Sequence, residues 1–248
     1  MSGFLDDSIF SEKRIALTAD PDAMVEELLV SDYGEHNMLV YPNRRSFRQL
    51  YSKYCRTVLL DKKSDSENET ILIISYYDTI HNIRNVLKRI GIDLDRELRK
   101  MSIVIMDSVT AYSHSMLDQI SETERSDPGY SSNFDELSCE RRRNLHALFP
   151  ISYKPYRLLT LLGSMMQSTH EHGARGLCVI ADMGSFYLLD RIEELVGYEC
   201  SYAPKFDKRI NVKAFCCHHR QEIRKALTME QRSRILSHHN RNLFLVGR

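Results

Sequence analysis

The chain has no glycine-rich phosphate cradle. The pattern G-x-x-x-x-G-K-[ST], which holds a triphosphate on backbone N–H groups and a lysine, occurs nowhere in its 248 residues. After the first strong strand signal the turn reads Tyr41-Pro-Asn-Arg-Arg-Ser46, with neither glycine nor lysine. Pro42 offers no N–H, and Asn43 and Arg44 put bulk where glycine would let the backbone approach a ligand. Mg-ATP is therefore expected neither to bind tightly nor to be hydrolysed. Long apolar runs are also missing. None approaches the ~20 residues of a membrane helix, and the acidic N-terminus lacks the basic-then-apolar order of a signal peptide. No membrane association is expected. Net charge is absent too: 34 basic residues balance 34 acidic ones, so no global field draws nucleic acid or an anionic surface. Six cysteines, at 55, 139, 178, 200, 216 and 217, show no regular spacing. With no disulfide framework in view, the reducing cytoplasm is the expected compartment.

What is present is an α/β pattern in a chain long enough for one sizeable domain, with 42% apolar residues. Residues 1–36 form an acidic N-terminal segment with nine acidic and two basic residues; Asp20-Pro21-Asp22 caps a short helix through Leu29. Residues 205–248 carry eleven basic and three acidic residues. Either the two ends lie together and neutralise each other, or the basic end meets an acidic partner. From residue 37 to 248 the pattern predicts a single domain. Met38–Tyr41 is a strand and Arg44–Val58 a helix with Phe47, Leu50, Tyr51 and Tyr54 on one face. Thr70–Tyr77 is an isoleucine-rich strand, Asp78 caps a helix ended by Gly91, and a further strand ends at Asp107. Tyr112–Pro150 breaks the pattern, and a mobile insertion is expected near 113–152. The alternation resumes with a helix starting at Pro155, a strand over 176–181, a helix ending near Gly197, and final strands over 211–218 and 242–246 flanking a helix over 229–236. Continuous apolar strands between amphipathic helices predict a mainly parallel sheet covered on both faces.

Three pieces carry a resemblance. They are Ile73-Ile-Ser-Tyr-Tyr77-Asp78, Arg89-Ile-Gly91-Ile-Asp93-Leu and Ile103-Val-Ile-Met-Asp107-Ser108. Their order resembles RecA-like ATPases of the circadian-clock (KaiC) type, which implies a three-layer fold. Tyr77-Asp78 stand where that family places paired glutamates. The endings Val212-Lys-Ala-Phe-Cys216-Cys217-His218 and Ile235-Leu-Ser-His238-His239-Asn240 are similar to the methanogen/methylotroph sensory (MEDS) domain of archaea and bacteria, a clock-type fold without the phosphate loop. That resemblance implies signal reception, proposed for small organic molecules.

In an open parallel sheet, ligands bind beyond the carboxyl ends of the strands. The candidate ligand-binding residues there are Tyr41, Arg44, Arg45, Tyr76, Tyr77, Asp78, Asp107, Ser108 and Asp182, with Ser185 beside them. Rings, carboxylates and an arginine pair suit a small polar or anionic ligand. The plainer roles are a helix cap for Asp78 and a backbone or arginine partner for Asp107. Cys216-Cys217-His218-His219 and His238-His239 raise the question of zinc. Strand neighbours point to opposite faces, so at most Cys216 with His218, or Cys217 with His219, can share an ion. No C-x₂₋₄-C pair supplies the rest, so neither metal nor cofactor is expected. Arg141-Arg142-Arg143 fits a solvated helix face, and no helix-turn-helix is present, so nucleic acid is not an expected partner. The leading expectation is a non-catalytic cytoplasmic sensory or regulatory domain with a site for a small ligand or a regulatory protein. A divergent ATPase using Arg44 and Arg45, and an assembly module with a vestigial pocket, are the alternatives.

Overall fold

The computed structural model describes residues 14–61, 69–113, 156–202 and 211–246. The expected insertion near 113–152 lies almost wholly outside these residues. Seven parallel strands form one sheet: β1 (Arg14–Thr18), β2 (His36–Tyr41), β3 (Glu69–Ser75), β4 (Ile103–Asp107), β5 (Gly176–Asp182), β6 (Val212–His219) and β7 (Arg241–Leu245). Their spatial order is β1-β7-β2-β6-β5-β3-β4. The helices are α1 (Pro21–Leu29), α2 (Arg44–Arg56, continued by a wide π-turn over Thr57–Asp61), α3 (Ile80–Arg89), α4 (Leu94–Arg99), α5 (Ser108–Ser113) and α6 (Tyr156–Glu171). Next come α7 (Gly184–Leu188), α8 (Ile192–Tyr202), α9 (Arg220–Ala226) and α10 (Met229–His238).

Strand order explains the layers. From β1 through β2 and β3 to β4 the chain crosses the sheet in one direction, and from β4 through β5 and β6 to β7 it returns. Crossovers in a parallel sheet are right-handed, so outbound and returning helices must lie on opposite faces. They do. Leu28, Phe47, Leu50, Tyr54, Ile83 and Leu94 of α1–α4 pack on one face with Ile71, Ile73, Ile180 and Cys217. Tyr112, Leu158, Phe186, Leu195, Ile223 and Ile235 of α5–α10 pack on the other with Leu72, Ile74, Val179 and Cys216. The result is a three-layer α/β fold. Every residue of β2, β3, β5 and β7 is buried, as strands covered on both faces require. Each such aliphatic side chain contributes about 1.5–3 kcal/mol.

The sheet begins earlier than the sequence predicts. Residues 14–36 of the acidic segment contribute to the sheet: β1 pairs with β7 and α1 packs with it. A five-residue strand beside an acidic helix leaves little periodic signal, and only its pairing with a strand more than 200 residues away identifies it. The described parts of the acidic and basic ends meet where β1 lies beside β7 and the Arg241 guanidinium pairs with Glu27. Another correction concerns Asp78. Thr79 is the N-cap of α3, accepting from the Asn82 N–H, which releases Asp78 for a tertiary partner. The expected single helix after β5 is two, α7 and α8, the second running to Tyr202.

Candidate functional site

Two adjacent strand pairs diverge at their carboxyl ends. β2 leads toward β3 while its neighbour β6 leads toward β7, and β3 leads outward while β5 leads inward. Such switch points open crevices in doubly wound sheets. Tyr41 and His219 face each other in register across the first. Asp182 and the exit of β3 meet across the second.

Asp182 is the hub. It is fully buried, and each of its oxygens is already taken up. One accepts from the Tyr41 hydroxyl at 3.3 Å and the Gly184 N–H at 2.8 Å. The other accepts from the Ser75 hydroxyl at 3.2 Å and the N–H groups of Tyr76 and Tyr77, both at 3.1 Å. Burial pushes its carboxyl above the ordinary range, against the pull of these N–H donors. Burial, and then the nearby Asp182 charge, push the Tyr41 hydroxyl far up, so it stays a donor. The backbone donors at the β3 exit, which a bound anion would otherwise use, are directed at a carboxylate of the same chain.

The Tyr77 ring closes over the turn after β5. A Cβ on Gly184 would lie 2.6 Å from the Tyr77 Cε2 and 3.0 Å from the Asp182 carboxylate, so only glycine fits there. Arg44 stacks on the outer face of that ring, its guanidinium carbon 4.7 Å from the centroid. His219 lies edge-on to Tyr41 at 5.5 Å and tilted to Tyr77 at 5.9 Å. The His219 imidazole is half-buried, and burial lowers its proton affinity; Glu222 opposes this, while Arg44, Lys225 and Arg220 add to it.

The structure therefore brings Tyr41, Arg44, Tyr76, Tyr77 and Asp182 together, and adds His219. The other sequence candidates do different work. Asp78 is buried and pairs with the Arg48 guanidinium, with the Tyr51 hydroxyl at 3.2 Å. Asp107 ends the outermost strand, where it accepts from the N–H groups of Val109 at 2.9 Å and Thr110 at 3.2 Å, opening α5. Ser108 and Ser185 are fully buried at helix starts. Arg45 is exposed on the first turn of α2. A cleft lined by rings and charges and open to solvent was expected. Tyr41, Tyr76, Tyr77 and Asp182 are instead packed inside, and the exposed groups at this edge include Arg44, Arg45 and Lys225. A cavity of about 800 Å³ lies at the opposite, amino edge, lined by Glu69, Arg96, Arg99, Lys100 and His172.

A second constellation lies under α8 and α10. His36 at the start of β2, Glu199 of α8, Cys216 of β6 and His239 at the end of α10 are all buried, with one ligand atom of each within 4.8 Å of the others. The strand alone let Cys216 share an ion at most with His218; the fold instead groups it with His36, Glu199 and His239. Spacing along β6 and α10 carries no trace of His36 or Glu199, because both arrive from elsewhere in the fold.

No family model matches the chain, and no curated protein sequence matches it. Among the described residues, no helix is long and apolar enough to cross a membrane.

Proposed function

We propose that the chain is a non-catalytic sensory or regulatory domain of the cytoplasm that receives a small anionic ligand at the rim of its carboxyl edge. One observation carries this reading: the carboxylate at the centre of the edge is occupied by five donors of its own chain, while cations gather around His219. A nucleotide hydrolase needs a carboxylate able to hold a metal or a water, and backbone N–H groups able to take phosphate. Here Asp182 and the β3 exit satisfy each other, Asp78 is held by Arg48, and Tyr77 covers Gly184. Around the half-buried imidazole stand Arg44, Lys225 and Arg220, opposed by Glu222, beside a platform of tyrosine rings. That chemistry favours a carboxylate or phosphate group by charge and by hydrogen bonding. The likeness to the sensory domains of methanogens and methylotrophs supports the same assignment.

The test is a pair of measurements on the intact protein. Mg-ATP is expected to give no multi-turnover phosphate release. Small carboxylates, phosphate or pyrophosphate are expected to raise Tm saturably, and Arg44→Ala to abolish that rise. Phosphate release that Asp107→Ala eliminates establishes a hydrolase instead. No ligand-dependent shift, together with stable association with a second protein, establishes an assembly module.

A further inference from the structure

The cluster beneath α8 and α10 lies on the face opposite Asp182 and has no part in the function proposed above. On β6 the alternation of side chains sends Cys217 toward α1–α4 and Cys216 toward α5–α10. His36 belongs to the same side as Cys216, with its Nε2 3.0 Å from the Cys216 sulfur and 3.4 Å from Glu199 Oε2. His239 brings its Nε2 to 3.1 Å from the same oxygen. On the other side of the carboxylate, His218 Nε2 stands 3.3 Å from Oε1. The His36 and His239 rings lie 4.2 Å apart, tilted by 35°.

These contacts do not behave as ordinary hydrogen bonds. Glu199 is completely buried, yet neither of its oxygens accepts a bond of proper geometry. A carboxylate so placed costs several kcal/mol unless a positive charge compensates it. His239 shows why its own proton is elsewhere. Its Nδ1 lies 2.8 Å from the Ile235 carbonyl, which can only accept, so Nδ1 carries hydrogen. In the neutral ring, Nε2 then turns a lone pair toward Glu199. Lone pair against carboxylate at 3.1 Å is repulsive unless the ring is an imidazolium or a cation lies between the two.

We propose that His36, Glu199, Cys216 and His239 form a buried structural site for one divalent transition-metal ion, with zinc as the ion best matched to the set. Tetrahedral zinc with bonds of about 2.0 Å to nitrogen or oxygen and 2.3 Å to sulfur separates its ligand atoms by roughly 3.3–3.6 Å. The contacts of 3.0, 3.1 and 3.4 Å within this set lie close to that spacing. Charge also closes: two neutral imidazoles, a carboxylate and a thiolate around a dication sum to zero, as a dry site demands. Metal binding would deprotonate the Cys216 thiol. Around this set lies an orienting shell. The Ile235 carbonyl fixes His239, and the Tyr187 hydroxyl contacts His218 Nδ1 at 2.8 Å, leaving His218 Nε2 3.3 Å from the second Glu199 oxygen. All four proposed ligands are at most 2% exposed, which marks a closed structural centre rather than an open catalytic one. It would join β2, β6, α8 and α10, tying two helices to the sheet.

The probe is cobalt. The full chain, expressed without an affinity tag that binds metals, is expected to carry about one zinc per chain by plasma emission. Chelator-treated protein reconstituted with Co²⁺ is expected to show intense tetrahedral d–d bands and a near-ultraviolet thiolate-to-cobalt band. Cys216→Ser is expected to lose the thiolate band, and Cys217→Ser, on the other face, to keep it. If Cys216→Ser does not fold, the wild-type spectrum still decides, because a thiolate band at one equivalent of cobalt requires a cysteine ligand. Folded, chelator-treated protein that takes up neither Zn²⁺ nor Co²⁺ stoichiometrically would overturn the proposal. So would a cobalt spectrum lacking the thiolate band, or one unchanged in Cys216→Ser.

Discussion

Replacing Asp182 with asparagine keeps the shape of the side chain and turns one of two acceptors into a donor. With the amide nitrogen facing Tyr76 and Tyr77, two backbone N–H groups at 3.1 Å lose their acceptor. With it facing the other way, only the Gly184 N–H at 2.8 Å is orphaned, because the Tyr41 hydroxyl can rotate. The second orientation is preferred. A buried, unpaired N–H costs about 1–3 kcal/mol, and weakening the remaining charge-assisted bonds adds roughly 1 kcal/mol. Relief from burying a charge offsets part of this, leaving a net loss of about 2–3 kcal/mol. At this chain length each kcal/mol lowers Tm by about 2–4 °C, so a fall of roughly 4–12 °C is expected by calorimetry. The pH dependence has a definite sign. The folded-state pKa of Asp182 is raised, so its favourable contribution is complete below the ordinary value of 3.8 and is lost as pH rises through the folded value. The gap between wild type and Asp182→Asn therefore narrows toward neutral pH. A Tm within about 2 °C of wild type would refute the claim that this carboxylate is taken up internally and would leave it available to a ligand.

Gly184→Ala drives a methyl into the buried Tyr77 ring and is expected to lose about 1–3 kcal/mol in urea unfolding; an unchanged midpoint would mean the ring is not packed there. Lys213 and Glu69 form a buried pair at 3.0 Å, with the Tyr33 hydroxyl also donating to Glu69 at 3.0 Å. Lys213→Met leaves that carboxylate uncompensated, and a loss of about 3–5 kcal/mol is expected, with part recovered on adding Glu69→Gln. A single variant as stable as wild type would contradict the pairing. Because the His219 pKa is depressed, its stability contribution is present above the ordinary 6.5 and declines as pH falls through the folded value. Pyrophosphate binding, measured by calorimetric titration, is correspondingly expected to tighten between pH 7 and about 5 as the imidazolium forms. His219→Gln should flatten that profile, and a flat profile in the wild type would remove His219 from the site.

Much of this molecule is legible from its sequence alone. Runs such as Ile71–Ile74 can only be strands buried on both faces, and their alternation with amphipathic helices commits the chain to a covered parallel sheet. The strand ends fall where Tyr41, Asp107 and Asp182 stand, and the missing glycine loop is already visible in Tyr41-Pro-Asn-Arg-Arg. These are local facts, determined by periodicity and by turn chemistry within a few residues. Which strands become neighbours is a different kind of fact. Tyr41 reaches Asp182 across 141 residues, and His36 reaches Cys216 across 180, only because the sheet sets β2, β6 and β5 side by side. Asp78 has the spacing of a helix cap, yet the packing of α2 delivers Arg48 to it and leaves the cap to Thr79. Glu199 lies in a helix whose pattern differs little from any other, and tertiary structure alone decides that it faces three imidazoles. The reason is physical: hydrophobic periodicity specifies which face of an element is buried, but not which element it is buried against, and polar chemistry in the interior depends on that second choice.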